Sequence, residues 1–91
     1  MPSYLVETYI ARSQAGERAA RERRARSAAE ELTQERTSVR FERSIYVPED
    51  ETCFYVFDAP SGREAALAAQ RAGLDPIRVV EAVSSAKEEE Q

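Results

Sequence analysis

The chain has 91 residues, room for one domain around one hydrophobic core. It contains no histidine and a single cysteine, Cys53, which excludes Ser-His-Asp and Cys-His nucleophile systems, histidine-bearing zinc sites, CxxC motifs and an internal disulfide. Hydrophobic residues make up 42% and charged residues 33%, enough for a globular fold, while 13 basic against 17 acidic residues leave a net charge of -4 that argues against nucleic acid as a partner.

Tyr4 to Ile10 is rich in β-branched and aromatic residues and predicts a first strand. Glu7 interrupts this first apolar run, so it has no secretory pattern, and nothing in the chain approaches the ~20 apolar residues of a membrane helix. With one lone thiol, the expected location is a reducing cytoplasm. From about Gln14 to Arg36 the chain turns to Ala, Arg, Glu and Leu, and Ala25, Ala28, Ala29 and Leu32 repeat on one helical face. Ser38 to Val47 alternates Val39, Phe41, Ile45 and Val47 with polar residues; after Pro48-Glu-Asp50 the run Thr52 to Phe57 is again strand-like, so a hairpin is expected.

Ser61-Gly-Arg-Glu64 is a capping box, predicting a second helix through Ala72 with Gly73 as its left-handed terminator. Ile77 to Val83 reads as a fourth strand. The expected organisation is one domain over residues 1–83, with residues 84–91 as an acidic, flexible tail. The order βαββαβ predicts an α+β, ferredoxin-like fold: a four-stranded antiparallel sheet with two helices on one face.

Alternation along the strands gives two largely apolar faces. One set is Val6, Thr8, Phe54, Val56, Val80 and Ala82, expected beneath the helices. The other is Leu5, Glu7, Tyr9, Cys53, Tyr55, Phe57, Val79 and Glu81, expected to pack against a second copy, because helices cover only one face of a sheet. On that assignment Glu7 and Glu81 share a partly dry site. They would act as acid/base groups or ion ligands there, with Tyr9, Tyr55 and Arg43 orienting the bound molecule. Alternatively, either carboxylate pairs with an arginine such as Arg43 or Arg78, or reaches solvent. Cys53 reads as a buried small hydrophobe with no group to stabilise a thiolate. Arg18 and Arg21 fall beside the alanine stripe where apolar residues are expected; their stems cover the sheet edge, or their guanidinium groups bind an anion.

Taken together, Tyr4-Leu-Val-Glu7, Val39-Arg-Phe41, the hairpin Tyr46 to Phe54, Ala59-Pro-Ser61, and Arg71-Ala-Gly-Leu74 before Val79-Val-Glu-Ala82 carry a resemblance. They resemble a family of small, mainly actinobacterial ferredoxin-like proteins of unknown function described as nickel-binding-protein-like. The resemblance implies a homodimer forming a dimeric α+β barrel. It also raises metal binding. Nickel favours nitrogen ligands and imidazole is absent here, so carboxylate and phenol oxygens suit a divalent ion such as magnesium, calcium or manganese better. The function expected first is a homodimer binding a small molecule or ion between packed sheets. The alternatives are a dimeric-barrel enzyme with Glu and Tyr acid-base groups, acting as isomerase, cyclase or cofactor-free oxygenase, and an interaction module using the arginine-rich helix.

Overall fold

The computed structural model describes residues 1–83. Strand β1 (Ser3–Tyr9) leads through a 3-10 turn (Arg12–Glu17) into helix α1 (Arg18–Gln34). Strand β2 (Arg40–Val47), a second 3-10 turn (Pro48–Asp50), strand β3 (Thr52–Asp58), helix α2 (Gly62–Arg71) and strand β4 (Arg78–Ala82) follow. The order and kind of the elements are those expected. The acidic tail over residues 84–91 lies outside the described residues.

Both helices end in the same motif, and only one of the two endings is marked by glycine. Gly73 takes φ 72° after α2, and the Leu74 N–H donates to Ala69 O at 3.0 Å. Arg36 takes φ 75° after α1, and the Thr37 N–H donates to Leu32 O at 2.8 Å. In each case the donor two residues beyond the cap closes the last turn and satisfies a terminal carbonyl. Gln14 to Glu17, expected to open the first helix, instead belongs to the 3-10 turn, and no side chain caps α1 at Glu17.

The sheet runs β2-β3-β1-β4 with every pair antiparallel. β2 and β4 lie at opposite edges and do not pair, so the sheet is open. This corrects the expected dimeric α+β barrel: the sheet does not close, because its two outermost strands, β2 and β4, never meet.

Register decides the two faces. On the helix-covered face the cross-strand rows are Phe41, Phe57, Tyr4 and Glu81; Ser44, Tyr55, Val6 and Val79; and Tyr46, Cys53 and Thr8. On the uncovered face they are Arg43, Val56, Leu5 and Val80; Ile45, Phe54, Glu7 and Arg78; and Val47, Thr52 and Tyr9. The expected face sets are therefore corrected. Glu7 stands opposite Phe54 rather than beside Tyr55, so β3 and β4 are out of phase by one residue with the assumed pairing. In β2 a bulge between Phe41 and Arg43 reverses the alternation. Val39 and Phe41 are buried, while Ile45 turns to the uncovered face and is exposed.

Val6, Ile10, Phe41, Cys53, Tyr55 and Phe57 form the sheet side of the core. Ala25, Ala28, Ala29 and Leu32 of α1 and Ala65, Ala68 and Ala69 of α2 cover it. Small side chains let the helices lie close to the large rings, as expected of the stripe, although the rings beneath are Tyr55 and Phe57 rather than Phe54. Arg24 ties the helices together, its Nε donating to Ala72 O at the end of α2 at 2.9 Å.

Candidate functional site

Of the five residues expected to line a site, the fold keeps three on the uncovered face. Glu7 lies on β1 at the second row, Tyr9 at the exposed end of the same strand, and Arg43 on edge strand β2 beside Val56. Tyr55 is wholly buried under α1, and Glu81 sits in the Tyr4 row on the helix-covered side of β4. Glu7 and Glu81 thus point to opposite faces and form no carboxylate pair. Instead, Glu7 Oε1 lies 3.4 Å from Arg78 Nε across the β1–β4 pair, realising the arginine alternative. The Tyr9 hydroxyl donates to Glu51 Oε1 at 3.4 Å, and the backbone N–H of Arg12 donates to Glu51 Oε2 at 2.8 Å.

The uncovered face has an apolar centre with polar groups around it. Val56 is only 7% exposed although no helix among the described residues lies over it, because Leu5 and Arg43 flank it on the neighbouring strands. Leu5, Val47, Phe54 and Val80 are half-buried around it.

A second group of polar side chains lies on the other side, between the first half of α1 and the sheet. Arg18 Nη2 donates to Ser44 Oγ at 3.1 Å, and the Arg18 guanidinium lies 5.2 Å from the centre of the Tyr46 ring. Ser44 in turn donates to Glu22. Arg21 Nη2 meets Glu17 Oε1 at 3.3 Å near the surface. The Nε atoms of both arginines are buried without a hydrogen-bond partner, and the buried hydroxyl of Tyr55 has only the weakly bonding Cys53 thiol beside it. Burial, and then the neighbouring Cys53 thiol, push the Tyr55 pKa up, while the charges of Arg21 and Arg18 pull it the other way. The phenol is therefore a protonated donor across the physiological range. The misplacement of Arg18 and Arg21 beside the alanine stripe was visible in the sequence. The parts played by Ser44, Glu22 and Tyr46 were not, because the β2 bulge decides which of those strand residues face α1.

Three clefts among the described residues lie elsewhere, and none is lined by the five expected residues. One lies between α1 and the start of β2, where the Arg26 guanidinium stands 5.2 Å from the Phe41 ring. Another runs between α1 and α2 past Arg23, Arg24 and Arg71. Among the described residues no three acidic or thiol side chains gather as a metal would require, so the metal-binding expectation is corrected: its carboxylates are dispersed over two faces. Among the described residues no helix is long and apolar enough to cross a membrane.

No family model matches the chain, and neither does any curated protein. Among solved structures it is similar to the crystal structure of SCO4226 from Streptomyces coelicolor A3(2). The TM-score is 0.60 at 18% identity, over 90% of this chain and 98% of that one. The likeness is one of fold, and it agrees with the βαββαβ arrangement described above.

Proposed function

We propose that the protein is a small-ligand-binding domain that works as a homodimer, with a second copy covering the apolar face of the open sheet. One observation supports this most: the uncovered row Arg43, Val56, Leu5 and Val80 has an apolar centre of the kind that proteins bury, with none of the described residues' helices over it. The choice of a second copy rests on charge. A two-fold interface sets one patch against itself and so needs both signs within that patch, and this face carries Glu7 as well as Arg43 and Arg78. Glu7, Tyr9 and Arg43 then border the space between the stacked sheets, where they offer a carboxylate, a phenol and a guanidinium to a small molecule.

Sedimentation velocity at micromolar concentration tests the assembly. Twice the chain mass is expected for the wild-type protein, and the chain mass for Phe54→Glu, with an unchanged far-ultraviolet circular dichroism spectrum. A wild-type monomer would overturn the reading. Native mass spectrometry of the same sample reports any small molecule held by the dimer, and its loss in Glu7→Gln or Arg43→Met would tie it to this face.

A further inference from the structure

The first half of α1 places two arginines where the buried stripe of that helix should continue with apolar side chains. Arg18 and Arg21 precede Ala25, Ala28, Ala29 and Leu32 and turn toward the sheet, where their Nε–H groups are buried without a partner. Beneath them stands Tyr55, wholly buried, its hydroxyl with only the weakly bonding Cys53 thiol beside it. Ser44 is the cross-strand neighbour of Tyr55 and receives Arg18, which brings the arginine over the phenol. An Nε–H can only donate, and the protonated Tyr55 phenol, with only the Cys53 thiol beside it, has a proton to donate as well. Leaving a buried donor unmatched is costly, and donors gathered in one place would be matched by a group that accepts several hydrogen bonds at once.

The local charges limit what that group can be. The cluster is faced by Arg18 and Arg21 from α1, by Glu22 from the same helix, by Glu17 at its outer end, and by Tyr46, Ser44, Cys53 and Tyr55 from the sheet. Glu22 is engaged by Ser44, and Glu17 holds the outer end of Arg21 near the surface. Among the described residues, Arg18 has no carboxylate within ion-pair distance and meets only Ser44 and the Tyr46 ring. We infer that Arg18, Arg21 and Tyr55 form a binding site for a small oxyanion, a carboxylate or phosphate group whose oxygens accept from the two Nε–H groups and the phenol. Planar guanidinium groups suit such oxygens in particular. The three atoms expose no surface, so an anion would enter as the Arg12–Glu17 turn before α1, which buries no residue, moves aside.

This site is on the opposite side of the sheet from the proposed dimer face, and its test does not depend on assembly. Thermal unfolding of the full chain is followed with sodium phosphate, with sodium acetate, and with sodium chloride at matched ionic strength. Phosphate or acetate is expected to raise the midpoint where chloride does not. A response to phosphate alone assigns a phosphate group, and a response to acetate, with or without phosphate, a carboxylate. Tyr55→Phe removes only the oxygen and should fold; it is expected to lose at least about tenfold in anion affinity, as is Arg21→Met. If neither salt exceeds chloride, or if both variants respond as the wild type does, the site is refuted.

Discussion

Glu7 and Arg78 face each other across the β1–β4 pair, Oε1 to Nε at 3.4 Å, on the side of the sheet away from α1 and α2. The Glu7 side chain is 28% exposed and that of Arg78 66%. Solvent therefore screens the pair, and its role is to neutralise a charge on an apolar face rather than to hold β4 in place. Glu7→Gln is expected to change unfolding free energy by less than about 1 kcal/mol. Urea denaturation would check this; a loss of several kcal/mol would mean that the carboxylate is buried in the folded protein.

Ser61 caps α2. Its Oγ accepts from the Arg63 N–H at 3.3 Å and its hydroxyl bonds with the Glu64 carboxylate, which is thereby held below its ordinary pKa. Ser61→Ala should cost about 1 kcal/mol in denaturant titrations, by leaving a first-turn N–H unmatched. Ser61→Asp, which can still accept from that N–H, should recover most of the loss.

Ala25 has no exposed surface and sits in α1 where the helix meets the sheet. Ala25→Leu adds volume to a space already filled by the rings beneath, and about 1–3 kcal/mol of destabilisation is expected. Ala19→Leu, on the exposed side of the same helix, should be nearly neutral. Equal effects in thermal unfolding would show that α1 does not pack as closely as described.

Arg71 of α2 grips Glu35 beyond α1, with Nη1 and Nη2 at 2.7 and 3.0 Å from its two oxygens. Hydrogen bonding from Arg71 first, and its charge as a smaller contribution, hold the Glu35 carboxyl below its ordinary value of 4.5. A lowered folded-state pKa means that the stabilisation is fully present above the unfolded value and disappears as pH falls through the folded one. The stability of the wild type should therefore decline over roughly pH 5 to pH 3 more steeply than that of Arg71→Met. Parallel pH profiles would show that the contact contributes nothing. Both groups are exposed, so the difference should shrink further in high salt.

The order of elements, the Ser61 capping box, the Gly73 terminator, the alanine stripe and the inert position of Cys53 were all legible along the chain. Each depends on residues a few positions apart: a hydroxyl three residues before a carboxylate, a glycine after the last helical turn, or small side chains at helical spacing. Cys53 is free and buried, as its apolar neighbours implied. The termination of α1 at Arg36 had no such signal, since a left-handed arginine looks like any other arginine until the chain has to turn there.

The site expectations depended on pairing between distant strands, and there local patterns are silent. Along β1, β3 and β4 the alternation itself is legible, but a one-residue shift between β1 and β3 sends Tyr55 to the helices while Glu7 stays outside, and the same shift at β4 separates Glu81 from Glu7. The bulge after Phe41 does the same within β2, bringing Ser44 to Arg18 and leaving Arg43 on the open face. Spacing along the chain thus settles which elements form and where they end, because those energies arise within a few residues. Which side chains meet is settled by register across the sheet, where one residue of slippage moves a whole strand's side chains to the opposite face.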